Sequence, residues 1–461
     1  MKNKNPLLVP ELRELLALGD VETLEDFTAS GHPEVIADFL SALSPDEAWK
    51  VLSYAQPHVR GEIFSRMEEE DQDEILAQLS IEQIARLLTD MPPDDRADIF
   101  KRLPEEKGES VLRALARAER EDIRRLAAYK EGTAGAIMTS DYAALPPDLT
   151  VAEALERLRQ IAPDRETIYY AYIIDQNRKL LGFVSLKDLI LARRDARVAD
   201  IMHTDVITAR VDEDQEEAAR KIQKYDLIAL PVLNGGDALV GIITHDDALD
   251  IITQEHTEDM EKLMAIAGSH EAGVYLRTPA WVHFKNRAYW IVGLAALGLV
   301  SGMIIHKFED VLTQLLILAL YMPMVADTGG NVGSQSATVV VRALALREIT
   351  PRDVWRVLFK EFRIAVLLAA VLGLLSYGKV LFLSANTEIP PGRTLGVIGG
   401  VIALALSLQV ITATLIGALL PLGAAKMKWD PAVVASPALT TIVDITGLML
   451  YFGTAKVLLG I

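Results

Sequence analysis

Residues 288–305 read AYWIVGLAALGLVSGMII, eighteen consecutive residues without a charged side chain. At 1.5 Å per residue, a helix of this length just crosses the hydrocarbon core of a bilayer, which is about 30 Å thick. A buried helix of a soluble protein would explain one such stretch. Four more follow it, however, so the sequence predicts a membrane domain of five spanning helices. The four other apolar stretches are residues 311–341, 364–386, 395–420 and 431–455.

Charge divides the chain into two unlike parts. Residues 281–461 hold nine acidic and fourteen basic side chains, whereas residues 1–280 hold 55 acidic and 32 basic ones. The negative first part would repel nucleic acid and attract cations, divalent cations most strongly. The chain contains no cysteine, which excludes disulfides, thiolate zinc sites and cysteine nucleophiles. We therefore expect divalent cations and a lipid bilayer as partners, and no nucleic acid.

Basic residues in the connections between spans predict their orientation, because loops rich in Lys and Arg stay in the cytoplasm. Five spans then place the N-terminus in the cytoplasm and the C-terminus outside. No signal peptide is visible in the first residues. We expect a multi-pass protein of the cell (inner) membrane. The basic residues lie before span 1, between spans 2 and 3, and between spans 4 and 5: Lys285, Arg287, Arg342, Arg347, Arg352, Arg356, Lys360, Arg363, Lys426 and Lys428.

The cytosolic part begins with a predicted acidic, all-helical domain at residues 1–130. Starts such as SPDE at 44–47 place a capping side chain and a first-turn proline before apolar residues at helical spacing. An internal repeat then fills residues 131–257. AIMT at 136–139 recurs as DIMH at 200–203, and GFVSLKD at 182–188 recurs as GIITHDD at 241–247. The first copy is five residues longer, near residues 162–169.

Each copy of the repeat runs in the order helix, strand, turn, strand, and this pattern resembles a tandem pair of α+β CBS domains, at about 133–196 and 197–257. In that family the final Asp holds the ribose of an adenine nucleotide, and the preceding Ser or Thr caps a helix that faces phosphate. The resemblance therefore makes Ser185, Asp188, Thr244 and Asp247 candidates for binding ATP or another adenine nucleotide. The alternative is that these residues only cap the closing helices.

Carboxylates cluster in the cytosolic part. Asp94 and Asp98 would lie one helical turn apart and repel each other unless a cation bridges them. Mg²⁺ takes such oxygens through one or two carboxylates and keeps part of its water. The alternative is an ordinary solvated acidic surface. The clustered acids are therefore candidate ligands for a divalent cation: Asp94, Asp95, Asp98, Glu216, Asp226, Asp247, Asp250, Glu255, Glu258 and Asp259.

A connecting helix is predicted at residues 258–283, between the repeat and a membrane domain at 284–461. The stretch 248–267 is helix-compatible and amphipathic, so a helix there would join the acidic part to the bilayer mechanically. A passive linker is the alternative.

Asp444 lies near the middle of the last apolar stretch, where an aspartate costs about 2.5–3.5 kcal/mol on insertion scales. Such a residue should face a polar cavity. The alternatives are a protonated carboxyl bonded to a neighbouring helix, or an ion pair with Lys379. Thr440 lies one turn before Asp444 on the same helix face.

The second span carries a polar motif, in which Pro323 should break the helix and Gly329 and Gly333 should let another backbone approach closely. Asn331, Ser334 and Gln335 would then line water or a helix interface. Polar residues of the fourth span should complete a wet passage. An oxygen-rich passage with a single carboxylate suits Mg²⁺, which dehydrates reluctantly. The polar residues of the fourth span are Ser407, Gln409, Thr412 and Thr414, and the fifth span adds Ser436, Thr440 and Thr441 to the same expected passage.

Taken end to end, the chain resembles the MgtE family of Mg²⁺ channels and transporters. The specific motifs are P-x-x-x-D-T-G-G-N-x-G-S-Q-S-A at 323–337 and D-P-A…P…D-I-T-G at 430–447. The resemblance implies a homodimer with its pore at the subunit interface, Asp444 as the ion-selecting carboxylate and Asp430 at the cytoplasmic mouth. It also implies that the clustered cytosolic acids form a Mg²⁺ sensor, and that the connecting helix is a plug, which shuts the pore when Mg²⁺ binds between the N-terminal and CBS domains.

The predicted function is Mg²⁺ influx that is inhibited when cytosolic Mg²⁺ rises. Two other classes of function are alternatives to it. A membrane-anchored CBS sensor of nucleotide or metal, without transport, would need neither Asp444 nor the polar second span. An enzyme is disfavoured because the sequence contains no signature of a nucleophile, a metal hydrolase or a phosphate loop.

Overall fold

The computed structural model describes residues 6–264, 266, 278–387, 389, 393–434 and 437–460. Its first part is all helical, as the capping and spacing signals predict. The helices are α1 (Val9–Leu18), α2 (Val21–Ser30), α3 (Pro33–Leu40), α4 (Pro45–Tyr54), α5 (Pro57–Ser65), α6 (Glu69–Gln78), α7 (Ile81–Thr89), α8 (Pro93–Arg102), α9 (Glu105–Ala114) and α10 (Arg117–Ala127).

Short helices in this part begin at residues that satisfy the free backbone amides of the first turn. Glu47 N–H donates to the Ser44 hydroxyl, and a Glu47 carboxylate oxygen accepts from Ser44 N–H at 3.0 Å. Such a reciprocal capping box stabilises a helix start. Behind these starts, apolar faces meet in one core that includes the fully buried Leu52, Phe64 and Leu87. The predicted all-helical N-terminal domain is confirmed.

The repeat folds into two copies of a small three-stranded sheet with helices. In each copy the first strand pairs in parallel with the second, and the second pairs antiparallel with the third. The elements are β1 (Tyr142–Leu145), α11 (Val151–Ile161), β2 (Thr167–Ile174), β3 (Leu180–Ser185), α12 (Leu186–Leu191), α13 (Val198–Ile201), β4 (Ala209–Arg210), α14 (Gln215–Tyr225), β5 (Ala229–Leu233) and β6 (Leu239–Thr244).

The two copies exchange backbone hydrogen bonds in a symmetric way. The entry segment of copy one pairs with the exit strand of copy two, since Thr139 and Ile242 exchange two bonds of 2.9 Å. His203 and Phe183 form the reciprocal pair. The repeated glycines permit this approach, because a Cβ on Gly241 would lie 2.7 Å from the Thr139 carbonyl oxygen. The repeat therefore encodes a mutual pairing.

Helix α15 (His245–Leu263) closes the second copy and continues past residue 257. The boundary predicted between the repeat and the connecting helix thus falls within one continuous helix. Residues 265 and 267–277 of the predicted plug lie outside the described residues. The chain divides into two units, Met1–Glu255 and His256–Ile461, and each is considered separately below.

The second unit is a bundle of long helices, as predicted. Among the described helices, α16, α19, α20 and α22 are long and apolar enough to cross a membrane by length and composition. Helix α18 has 29 residues, but Asp327 and its polar neighbours interrupt its apolar sequence. The helices are α16 (Ala280–Lys307), α17 (Glu309–Gln314), α18 (Ile317–Ala345), α19 (Val354–Leu383), α20 (Leu395–Lys426), α21 (Pro431–Val434) and α22 (Pro437–Leu459).

Helix α20 is the centre of this bundle, with α18, α19 and α22 packed around it. The predicted close approach at the glycines of α18 is confirmed: the Gly333 carbonyl oxygen lies where a Cβ on Gly417 would be 2.3 Å away. The prediction that Pro323 breaks the second span is wrong. Helix α18 continues through this proline, which removes a single backbone donor near the start of a long helix that its neighbours hold in place.

Candidate functional site

Asp444 lies half-buried on α22, where its carboxylate interacts electrostatically with that of Asp327 on α18. Asp327, Asn331 and Gln335 are exposed and recur every four residues, so they share one face of α18. Asn331 Nδ2 donates to Asp327 Oδ2 at 3.3 Å. The structure therefore brings two carboxylates together, where the sequence analysis expected one.

Two further predicted pore residues lie on the same two helices. Ser334 on α18 and Thr440 on α22 are both half-buried. No role of its own was predicted for Asp327, although its four-residue spacing from Asn331 was a usable signal. Lys379 Nζ lies 3.8 Å from the Met324 sulfur, and no ion pair joins Lys379 to Asp444 among the described contacts.

The expectation that polar residues of α20 line a wet passage is wrong for Gln409 and Thr414. Gln409 and Thr414 are buried inside the bundle. The hydroxyls of Ser407, Thr412 and Thr414 donate to carbonyls one turn earlier in their own helix, at 2.7–2.9 Å. Hydroxyl side chains in apolar helices commonly donate their hydrogen bond to the backbone of their own helix. Their presence alone therefore does not indicate a water-filled passage.

Asp430 lies beside the end of α15. Lys262 Nζ is 3.0 Å from Asp430 Oδ2 and 2.7 Å from Glu258 Oε1. Burial, followed by repulsion from Asp430, raises the pKa of Asp259. Although burial opposes it, hydrogen bonds to Glu258 and Asp430 raise the pKa of Lys262. Glu258 and Asp259, which were predicted for the sensor, thus lie beside Asp430, which was predicted for the mouth of the pore. The sequence analysis had treated the sensor and the mouth as separate sites.

A second acidic group forms in the first unit, and we call it the acidic cluster: Asp94, Asp95, Glu166, Asp246 and Asp247. Its members come from the start of α8, the residue before β2 and the start of α15. Arg66 Nη2 reaches Asp246 at 3.8 Å. Among the described residues, Arg66 is the one basic side chain within ion-pair distance of these carboxylates, so most of the negative charge of the cluster is uncompensated.

The electrostatics of the acidic cluster reflect that excess charge. Burial, and then repulsion from Asp95 and Asp247, raises the pKa of Asp94 well above its usual range, and its Oδ1 is buried without a hydrogen-bond partner in the described chain. Desolvation, followed by repulsion from Asp247, raises the pKa of Glu166 to about 7, although Glu166 is exposed to solvent. Burial raises the pKa of Asp247 to about 6.

Other predicted sensor residues have local partners or face solvent. Asp98 pairs with Lys101 at 2.9 Å, Glu216 pairs with Arg220, and Glu255 accepts from Gln215 at 2.7 Å. Asp226 and Asp250 are exposed. Within the described ranges, no three His, Asp or Glu side chains already converge as a ready-made metal site. A cation at the acidic cluster would therefore use one or two carboxylates together with water.

Glu166 and Asp246 were absent from the predicted sensor. Glu166 lies in the segment by which the first repeat copy is five residues longer. That insertion was the available signal, because an extra acidic segment in one copy is not required by the repeat fold. Asp246 lies one helical turn before Asp250, a predicted sensor residue, and this spacing was the available signal for it.

The predicted nucleotide residues form helix caps. Ser185 Oγ donates to Asp188 Oδ2 at 2.5 Å, and Asp188 N–H donates back to Ser185 Oγ at 3.1 Å. His203 Nε2 lies 3.1 Å from the same carboxylate. Although desolvation opposes it, these contacts lower the pKa of Asp188. Thr244 Oγ1 donates to Asp247 Oδ2 at 2.5 Å.

Comparison with known proteins covers both parts of the chain. Residues 322–454 match the family model for a divalent cation transporter, residues 31–132 match the MgtE intracellular N domain, and residues 134–195 and 198–254 match the CBS domain. The magnesium transporter MgtE of Thermus thermophilus is 41% identical over 340 residues, which cover 74% of this chain and 73% of that protein.

Two further relatives agree with this match. MgtE of Bacillus subtilis is 38% identical over 338 residues, which cover 73% of this chain and 72% of that protein. A crystal structure of the soluble part of a magnesium transporter superposes with a TM-score of 0.51 at 32% identity. It covers 53% of this chain and 97% of that structure.

Proposed function

Because this chain belongs to the MgtE family of magnesium transporters, we propose that it carries Mg²⁺ across the membrane past Asp444, and that Mg²⁺ bound to its cytosolic carboxylates closes the pathway. The relatives are named transporters, so the protein is not an enzyme. Transport along the second unit and closure by the acidic residues are supported by different observations.

The observation that supports transport is the polar face of α18 beside Asp444. Asp327, Asn331 and Gln335 are exposed on a helix whose neighbours are long apolar helices. Exposed polar side chains at membrane depth are costly in contact with lipid, so they should face water or a second subunit. We propose a homodimer in which this face lines the passage. Each subunit would then present two carboxylates and two amide oxygens to a hydrated Mg²⁺.

The proposed orientation places the N-terminus in the cytoplasm and the C-terminus outside. Basic residues between α18 and α19 support it, because such loops remain on the cytoplasmic side. The Asp430 end of α22 then lies on the cytoplasmic side as well, beside Glu258 and Asp259 of α15. Mg²⁺ entering from outside would reach these carboxylates last.

Closure by Mg²⁺ is supported by the unpaired charge of the acidic cluster. Without a divalent cation, repulsion among Asp94, Asp95, Glu166 and Asp247 opposes the arrangement in which α8 meets the start of α15. A bound cation would remove that repulsion and favour the compact state. A cation shared by Glu258, Asp259 and Asp430 would likewise remove repulsion at the end of α15 and favour the compact state.

An adenine nucleotide at the CBS pair is a further part of the proposal. The first copy suits it better, because Ser185 and Asp188 lie beside His203, a potential cation. In the second copy Asp247 belongs to the acidic cluster, which would repel phosphate. We therefore place the nucleotide at Ser185 and Asp188, and leave Asp247 to the cation.

Reconstitution of the full-length protein in liposomes tests the whole proposal. Mg²⁺ uptake should occur with low Mg²⁺ on the cytoplasmic face and fall as that concentration rises. Protein-containing liposomes that take up no more Mg²⁺ than empty ones would instead favour a CBS sensor that is anchored in the membrane.

A further inference from the structure

Gln409 lies in the middle of α20, with 0% of its surface exposed, between the two helices that carry Asp327 and Asp444. Its Nε2 donates to the Val443 carbonyl oxygen at 2.9 Å. Val443 directly precedes Asp444, so this bond holds the backbone at the carboxylate that we assign to the ion pathway. A helix carbonyl has a second lone pair, which lets it accept this bond in addition to its own helical one.

Glycines on both neighbouring helices make room for the same amide. A Cβ on Gly329 of α18 would lie 2.3 Å from Gln409 Nε2, and a Cβ on Gly447 of α22 would lie 2.4 Å from it. Gly329 follows Asp327 by two residues, and Gly447 follows Asp444 by three. Each glycine thus lies within one helical turn of a carboxylate, and the Gln409 side chain fills the gap between them.

Packing alone does not account for an amide at this position. Gln409 Oε1 is buried and has no hydrogen-bond partner in the described part of the chain. A buried acceptor without a hydrogen bond opposes folding. An apolar side chain of the same length would therefore fill this position at a lower cost in folding free energy. The amide instead provides a directed bond to the backbone at Asp444.

We propose that Gln409 is a positioning residue, which fixes the spacing of Asp327 and Asp444 and thereby the affinity of the pathway for Mg²⁺. This inference rests on the proposed function. It assigns no contact between Gln409 and the ion. Its effect passes through α18 and α22, which approach one another only as closely as the wedged side chain permits.

The test is Mg²⁺ uptake by liposomes that contain the full-length protein, measured over a range of external Mg²⁺. Gln409→Met keeps the length of the side chain and removes the hydrogen bond. It should raise the half-saturating Mg²⁺ concentration about threefold or more, the factor expected for one hydrogen bond between membrane helices. The maximal rate should change less, because the passage stays open. An unchanged half-saturating concentration would overturn the inference.

A double substitution separates this role from a general packing defect and covers the case in which Gln409→Met does not fold. Gly447→Ala places a Cβ against the amide and should impair uptake, whereas Gln409→Ala removes the obstacle. If Gln409 is wedged between the helices, the double variant should take up Mg²⁺ no worse than Gln409→Ala alone. Additive defects would overturn the inference.

Gly453→Ala is the matched control on the same helix, because a Cβ there meets nothing within 4 Å. It should leave uptake unchanged. No uptake by the native protein would overturn the proposed function and this inference with it. Native uptake, with a Gln409→Met variant that matches it in half-saturating concentration, would overturn the inference alone.

Discussion

Lys262 forms an ion pair with Asp430, with Nζ 3.0 Å from Oδ2, and the same ammonium lies 2.7 Å from Glu258 Oε1. A lysine thus bridges the acidic end of α15 to the predicted cytoplasmic mouth of the membrane domain. In the proposed function Mg²⁺ bridges the same carboxylates. Lys262 would then compete with the cation for them.

Replacement of Lys262 by Met should make closure more sensitive to Mg²⁺. Loss of the ammonium leaves Glu258, Asp259 and Asp430 uncompensated, so they should bind a divalent cation more tightly. A partly exposed ion pair contributes up to about 1 kcal/mol, which corresponds to a two- to fivefold lower inhibitory Mg²⁺ concentration. Uptake measured against cytoplasmic Mg²⁺ tests this, with Lys360→Met on the exposed face of α19 as the control. An unchanged or higher inhibitory concentration would contradict the competition.

Neutralising Asp247, Asp250, Glu255, Glu258 and Asp259 together should leave uptake insensitive to cytoplasmic Mg²⁺. These residues supply most of the carboxylates through which a cation would hold α15, so without them Mg²⁺ should no longer favour the compact state. The same uptake assay measures the effect. The matched control neutralises five exposed acids of the first two helices, Glu11, Glu14, Glu22, Glu25 and Asp26. Normal inhibition in the first variant would refute the sensor role of α15.

The acidic cluster should make stability depend on pH when divalent cations are removed. Raised pKa values mean that the folded protein holds protons that the unfolded chain releases above about pH 4. The stabilising contribution is complete below that pH and is lost as pH rises through about 6 for Asp247 and about 7 for Glu166. The Tm of the full-length protein in chelator should therefore fall between pH 5 and pH 8.

Two variants make this pH experiment specific. Glu166→Gln removes a carboxyl whose pKa is raised to about 7, so the Tm of this variant should vary less between pH 5 and pH 8. Glu156→Gln, on the exposed surface of α11, should follow the native curve. Added Mg²⁺ should raise the native Tm most at pH 8, where the carboxylates are ionised. A native Tm that rises with pH in chelator would rule out this electrostatic description.

The reciprocal pairing of the repeat copies predicts a steric requirement at Gly241. Substitution by Ala would place a Cβ 2.7 Å from the Thr139 carbonyl oxygen and from the Met138 sulfur. Overpacking of this kind costs about 1–3 kcal/mol. The Tm of the full-length protein should fall, whereas Gly235→Ala, in an open turn, should leave it unchanged. Equal Tm values for the two variants would show that the strand exchange tolerates a side chain there.

Local signals in the sequence predicted much of this fold. Capping at Ser44, the repeat at 182–188 and 241–247, and the long apolar stretches each depend on neighbours within a few residues, so their spacing can be read directly. The acidic cluster depends on contacts between distant segments. Asp94, Glu166 and Asp247 come from three elements, and no sequence spacing shows that they meet.

In the membrane domain, too, contacts between distant segments could not be predicted from sequence spacing. Asp444 and the polar motif of α18 were recognisable because charged and amide side chains are unusual within apolar stretches. The interior position of Gln409 was not, since a polar residue on a long apolar helix can face either water or a neighbouring backbone. Only the packing of α20 against α18 and α22 distinguishes these two cases.

The most direct test of the account is Mg²⁺ uptake by liposomes that contain the Asp444→Asn variant. The amide keeps the size of the side chain and removes the charge that we assign to cation attraction. Uptake should fall at least tenfold, while Asp310→Asn, an exposed acid of α17, should retain native uptake. If Asp444→Asn transports Mg²⁺ at the native rate and with native half-saturation, Asp444 does not select the ion and the proposed pathway is wrong.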